Sequence, residues 1–211
     1  MSDRRAGGPR IGLLGGTFNP PHLGHLVLAE CARDELGLDE VRLVLAARPP
    51  HKHVEDDPGA AERLELCRAA VAADEGRIAV SDVELRRDGP SYTADTLEAL
   101  TREHPEASFV LLLGGDAAAG LESWSRPKDV LRFAAIGVAE RGADTHERAR
   151  ATVARLGYPD RLEPFAMPSL ELSSTAIRAR VRAGKTIRHL VPPGVEARID
   201  RLGLYRGRGS A

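Results

Sequence analysis

The chain predicts an α/β fold, a single domain built on a doubly wound parallel sheet. Three observations predict it. Strand-like and helix-like patterns alternate along most of the 211 residues, as they do when crossover helices join parallel strands. Phe109–Leu113 is wholly apolar, as expected of a strand covered on both faces at the centre of a parallel sheet. The apolar run Ile11–Leu14 stops at Gly15-Gly16 and passes through a proline turn into a helical pattern, the strand-to-helix connection from which such sheets are wound.

The elements follow in order. Ile11–Leu14 is a strand. Gly24–Leu36 is a helix closed by Gly37, a residue suited to the left-handed position after a helix. Val41–Ala46 is a strand, and Ala60–Ala73 a helix with Leu64, Cys67 and Val71 on one stripe. Ile78–Val80 is a short strand, and Thr93–Glu103 a helix that ends near Pro105. After the strand Phe109–Leu113 come a strand at Ala134–Ala139 and a helix at Thr145–Leu156. Arg161–Phe165 reads as a last edge strand, and helices follow at Ser174–Ala183 and Pro193–Leu202. The domain is expected over residues 10–205, with flexible polar tails at 1–9 and 206–211. In such a fold ligands bind at the carboxyl ends of the strands, near the point where strand order reverses.

Composition narrows the function classes. Hydrophobic residues make up 42% and charged residues 29%, as in soluble globular proteins. Thirty basic residues against 31 acidic ones give no reason to expect a nucleic-acid partner. There is no apolar run of membrane-spanning length and no charged-then-apolar leader, so no membrane partner and a cytoplasmic location are expected. Cys31 and Cys67 lack CxxC spacing and fall in helical patterns. They read as buried reduced thiols.

The chemistry concentrates in Gly15-Gly16-Thr17-Phe18-Asn19-Pro20-Pro21-His22-Leu23-Gly24-His25. Proline fixes its own φ and restricts its predecessor, so the paired prolines force an extended turn. His22 and His25 then stand three apart at a helix start. A strand end, a glycine turn and a helix N-terminus aim backbone N–H groups and the positive end of the helix dipole at one place, which suits a phosphate. A charged histidine gains nothing from that dipole, so its placement makes sense with an anion in front of it. Read as packing alone, the same glycines would serve a tight turn and the histidines would be surface residues.

Four further segments carry candidate chemistry. Ser173, Ser174 and Thr175 are a run of N-cap residues followed by Arg178 and Arg182, four apart and beside an inward stripe of Ile177 and Val181. An arginine in a first helical turn opposes the dipole and becomes useful with phosphates there; otherwise this is a capped surface helix. Lys52, in Pro49-Pro50-His51-Lys52, sits on a loop at the carboxyl end of the second strand, either as a mobile charge for a phosphate or as an exposed lysine. Tyr92 and Thr93 open a helix in Pro90-Ser91-Tyr92-Thr93-Ala94-Asp95-Thr96-Leu97, either as an anion site suited to a carboxylate or with Thr93 as an ordinary cap. Gly114-Gly115-Asp116 follows the most buried strand and reaches Trp124, the one tryptophan. Glycines there admit a ligand to the backbone, Asp116 suits ribose hydroxyls, and the indole either stacks on a flat ring or packs in the core.

The segment 15–25 resembles the HxGH superfamily of nucleotidyltransferases and, within it, the nicotinate-nucleotide adenylyltransferase family. The family's SSTxIR, PHK, SYTxDTL and GxDxxxxxxxW segments have counterparts at 173–178, 50–52, 91–97 and 114–124, followed by Gly184, Arg188 and Val191-Pro192-Pro193-Gly194-Val195. The resemblance spans Ile11 to Tyr205. It implies a Rossmann-like nucleotidyltransferase fold, with ATP and nicotinate mononucleotide as substrates and deamido-NAD and pyrophosphate as products. It also implies Mg²⁺ bound mainly through ATP phosphates, with no dedicated metal ligands in the protein. By resemblance, His22, His25 and Arg178 are the catalytic residues. Gly15, Gly16, Thr17, Phe18, Gly114, Asp116, Ser173, Ser174 and Thr175 join them around ATP. Lys52, Tyr92, Thr93, Trp124 and Arg141 contact the mononucleotide, with the pyridine carboxylate at Tyr92-Thr93. Many relatives are acidic where this chain has Asn19, and the amide drops a charge that metal binding would use. The resemblance leaves room for a homo-oligomer. A transferase acting on nicotinamide mononucleotide or another phosphate acceptor, and a non-catalytic nucleotide-binding regulator, are the alternatives. A class I synthetase fragment lacks support, because no KMSKS-like segment follows.

Overall fold

A computed structural model describes residues 7–49, 56–139 and 143–207. Six parallel strands form one sheet: β1 (Arg10–Gly16), β2 (Glu40–Leu45), β3 (Ile78–Ser81), β4 (Ser108–Gly114), β5 (Ala134–Ala139) and β6 (Leu162–Phe165). Their spatial order is β3-β2-β1-β4-β5-β6, every neighbour parallel. Strand order reverses between β1 and β4, so those two strands flank the crevice where ligands of open α/β sheets bind.

Alternation along the strands builds a core on each face, because successive side chains point to opposite sides. Ile11, Leu13, Phe109, Leu111, Ile136 and Val138 pack on one face with α3 (Thr93–Glu103), α5 (Pro127–Phe133) and α6 (Ala143–Arg155). Leu14, Val41, Leu43, Leu45, Val110 and Leu112 pack on the other with α1 (Leu23–Glu35) and α2 (Ala60–Ala70). A third cluster lies off the sheet. Leu66 and Ala70 of α2 meet Ile177 of α7 (Ser174–Arg182), Val195 and Ile199 of α8 (Pro193–Leu202), and Tyr205. That cluster attaches the C-terminal helices to α2.

The expected strands and long helices are present, the boundaries shifting by up to three residues. α4 (Gly115–Ala119) and α5 were not expected. Both are under two full turns, too short to display a helical period. Cys67 is buried, and its thiol is pushed up to about 12 by burial, whereas Cys31 is only half-buried. The expected tails at 1–9 and 206–211 lie mostly outside the described residues. Among the described residues no helix is long and apolar enough to cross a membrane.

Candidate active site

The loops at the carboxyl ends of β1 to β4 are tied to one another and to α7, and together they frame the crevice. Phe18 turns the β1 loop with a φ of 47°, an uncommon conformation for a bulky residue. Its ring is buried and meets the His25 ring edge-on at 5.0 Å. His22 is the N-cap of α1 in extended conformation, and its backbone N–H donates to His25 Nδ1 at 3.1 Å. The two imidazoles stack with centroids 3.7 Å apart. A Cβ at Gly24 would lie 3.1 Å from His22 Nδ1, so glycine at that position lets the His22 ring fold back over the helix start.

Both rings are held neutral. Burial pushes His22 down to about 4, and burial together with the neighbouring His22 pushes His25 down to about 3. The bond accepted at His25 Nδ1 requires that nitrogen to be unprotonated. The neutral ring therefore carries its proton on Nε2, which is its one donor. The α1 N-terminus differs here from the expected bare cradle of amides. The Leu23 N–H donates to Leu190 O at 3.0 Å and the His22 N–H to His25. The His25 N–H donates to His22 O at 2.9 Å as well, so three of the first donors are satisfied within the fold, and the His25 Nε2–H is a side-chain donor added at the helix start.

Room for a ligand lies beside these rings. A Cβ at Gly15 or at Gly114 would meet nothing within 4 Å, so the ends of β1 and β4 are open above the backbone. Gly16 and Thr17 are half-buried at the same end of β1, and Asp116 is exposed in the first turn of α4.

The α7 residues approach from the other side. Arg178 is buried and donates from Nη1 to Asn19 O at 2.9 Å, and Ser174 Oγ donates to Pro20 O at 2.8 Å. Ser173 Oγ accepts from the Ala176 N–H and caps the helix. These two hydroxyls are engaged in structure, while Thr175 is exposed. Asp56 accepts from Arg182 and stands 3.7 Å from Arg178 Nε, so two guanidinium groups converge on one carboxylate beside the β1 loop.

The two segments expected around a pyridine ring are neighbours. Tyr92, not Thr93, is the N-cap of α3, and among the described residues its side chain makes no capping bond. An uncapped helix start of this kind is where backbone amides can meet an anion. Arg126, which follows Trp124 by two residues, pairs with Asp95 in the first turn of α3. Trp124 is half-buried at the edge of the core, so part of the indole packs and part stays open. Below the helix start, buried Thr96 donates to Glu84 Oε1 at 2.6 Å and accepts from Arg87 at 3.0 Å. The Arg48 N–H donates to Ser91 Oγ at 3.1 Å and the Ser91 N–H to Arg48 O at 3.0 Å, joining the β2 and β3 loops. Lys52 and Arg141, with His51 and His53, lie outside the described residues.

Arg63 escaped the sequence reading. It is 1% exposed and donates to Thr17 O at 2.9 Å, Ala46 O at 2.8 Å, Ala47 O at 3.3 Å and Asp57 Oδ1 at 2.9 Å. One guanidinium from α2 thus fastens the β1 loop to the β2 loop. On α2 the sequence shows only a charged residue beside an apolar stripe. The sole signal is its adjacency to Leu64 on the inward side.

The chain is similar to known proteins over most of its length. The cytidylyltransferase-like family matches residues 13–180. A probable nicotinate-nucleotide adenylyltransferase of Salinibacter ruber is 41% identical over 198 residues, covering 93% of this chain and 97% of that one. Its counterpart in Exiguobacterium sibiricum is 42% identical over 199 residues, covering 93% and 98%. Among solved structures, the nicotinic acid mononucleotide adenylyltransferase of Plasmodium falciparum, complexed with NaAD, superposes with a TM-score of 0.74 at 19% identity, covering 93% of this chain and 97% of that one. At that identity the likeness speaks for the fold.

Proposed function

The chain belongs to the cytidylyltransferase-like family and, within it, to the nicotinate-nucleotide adenylyltransferases, and we propose on that premise that it transfers the adenylyl group of ATP to nicotinate mononucleotide, giving deamido-NAD and pyrophosphate in NAD biosynthesis. The observation that carries this reading is the neutral, stacked His22–His25 pair at the α1 N-terminus, set beside open glycine backbone where strand order reverses.

The 5′-phosphate oxygen of the mononucleotide attacks the α-phosphorus of ATP in line. One P–O bond forms, the α–β bridging bond breaks, and pyrophosphate leaves with the electron pair. No side-chain nucleophile is required, so catalysis is positioning and charge stabilisation. The Nε2–H of His25 donates to the phosphoryl group as charge gathers on it, and His22 stacks behind and holds that ring. Arg178 and the exposed Thr175 attend the leaving pyrophosphate, while Ser173 and Ser174 fix the start of α7. Gly15, Gly16, Thr17, Phe18, Gly114 and Asp116 form the ATP wall, with Asp116 toward ribose hydroxyls. Tyr92, Thr93 and the open part of Trp124 receive the nicotinate ring and its carboxylate; Lys52 and Arg141 complete that half.

Among the described residues no three His, Cys, Asp or Glu side chains gather as a metal cage. The carboxylates at the crevice are single, Asp56 being paired with Arg182 and close to Arg178 and Asp116 standing at the end of β4, and these residues would fit Mg²⁺ arriving on ATP and held by its phosphates and water. When bound, the ion neutralises phosphate charge. A cytoplasmic site of action and a homo-oligomer are compatible with this reading.

Purified protein with ATP and Mg²⁺ should release pyrophosphate with nicotinate mononucleotide and form deamido-NAD, resolved by chromatography. Nicotinamide mononucleotide in parallel should be the poorer acceptor. Turnover favouring the nicotinamide form would move the reading to the neighbouring activity. Binding of ATP without pyrophosphate release from any acceptor would make the protein a nucleotide-binding regulator.

A further inference from the structure

The turn before the histidines is held from the far end of the chain. Asn19 is 3% exposed, and Tyr205, 186 residues later, is 7% exposed. The Tyr205 phenol O–H donates to Asn19 Oδ1 at 2.7 Å. Two more donors from the C-terminal third fall on the same turn: Arg178 on Asn19 O and Ser174 on Pro20 O. Leu190 O then receives the N–H of Leu23, immediately after His22. Residues 19–23 are thereby gripped at four points by residues from 174 onward.

We propose that Tyr205 is a positioning residue for adenylyl transfer, setting His22 and His25 through the hydrogen bond between its phenol and Asn19; this rests on the function proposed above. Tyr205 does not touch the reacting atoms. Its ring belongs to the cluster of Leu66, Ile177, Val195 and Ile199, and its backbone adopts a φ of 63°, a conformation a bulky residue adopts only where its surroundings impose it. Burial raises the phenol pKa, so the group stays a donor at any pH at which the protein would be assayed. Removing this donor costs the buried Asn19 Oδ1 a hydrogen bond, and the turn relaxes in response. Only Pro20 and Pro21 separate Asn19 from His22. Displacements of an ångström or less in such a support are enough to cost large factors in rate.

The test is Tyr205→Phe, which removes one oxygen and keeps the ring. kcat should fall about tenfold or more, with the KM for nicotinate mononucleotide within twofold and a melting temperature well above that of the assay. Asn19→Ala should show the same split. The double variant should be no slower than Asn19→Ala alone, because the phenol acts only through Asn19. A purely structural role predicts a lowered melting temperature with kcat within twofold of wild type, or losses that multiply in the double variant; either result overturns the proposal. If Tyr205→Phe melts below the assay temperature, Asn19→Ala decides alone from the other end of the bond. A readout independent of turnover separates this idea from the function beneath it. In ¹H–¹⁵N spectra of the ligand-free protein, Tyr205→Phe should shift the His22 and His25 imidazole signals and leave the other histidines in place. If wild type makes no deamido-NAD, the functional reading falls and the imidazole signals still decide the positioning role; unshifted signals overturn it.

Discussion

Acid should loosen this fold through the histidine pair before it protonates most carboxylates. In the unfolded chain both rings titrate at the ordinary 6.5; in the fold they are pushed down to about 4 for His22 and about 3 for His25. The sign follows from proton counting. Below pH 6.5 the unfolded chain binds two protons that the folded one refuses, so this stability is full above the unfolded value and is lost as pH falls toward the folded ones. Each proton is worth about 1.4 kcal/mol per pH unit, so the slope reaches at most about 2.7 kcal/mol per unit. Integrated from about pH 7.5 to about pH 5, the pair accounts for at most about 4 kcal/mol, half from each ring. His25→Asn removes one titration while its Oδ1 can still accept from the His22 N–H, the bond that Nδ1 accepts in the native fold. Urea unfolding followed by circular dichroism, without ligand and across that pH range, measures the difference. Wild type should lose about 2 kcal/mol more than the variant between the two ends. Curves that run parallel to within about 0.5 kcal/mol would mean that His25 is not held neutral by the fold, and the tautomer argument would fall with it.

Arg63→Met fills the same space but strips donors from Thr17 O, Ala46 O, Ala47 O and Asp57. Breaking a buried charged network of this kind costs about 3–5 kcal/mol, or a melting temperature lower by about 10 °C for a chain of this size; a calorimetric shift under about 3 °C would show those carbonyls finding other partners. Gly15→Val should fold as wild type, since a Cβ there meets nothing within 4 Å, yet should raise the KM for ATP about tenfold or more as the branched side chain occupies the nucleotide's space. An unchanged KM for ATP would take the end of β1 off the nucleotide wall.

The sheet and its long helices were legible because their periods are long enough to read. α3 at Thr93–Glu103 and β5 at Ala134–Ala139 keep the expected bounds. α5 went unread, though Pro127 at its first turn is a start signal, because seven residues display no stripe. Within the site, His22, His25 and the glycines were visible because their residue types are unusual together. The supports were not. Arg63 and Tyr205 act on carbonyls and an amide that are distant in the chain, and nothing in the spacing of α2 or of the C-terminal segment specifies those partners. Ser173 and Ser174 were placed around ATP by resemblance; their hydroxyls also serve the fold, one accepting as an N-cap and the other donating to the Pro20 carbonyl, and no spacing in the sequence announces that second bond.

The four-point grip on residues 19–23 also orders events during synthesis. All six strands have been made once Phe165 is added, but the donors to the Asn19–Pro20 turn come 154, 159 and 186 positions after their acceptors. At about 5–20 residues per second, the 40 residues from Phe165 to Tyr205 take roughly 2–8 s to translate. For that interval the strands have all been made while the histidine turn waits for a clasp still to be translated. On the positioning role proposed for Tyr205, competence waits for that residue. A chain released before Tyr205 would lack both its ring in the C-terminal cluster and its donor to the turn.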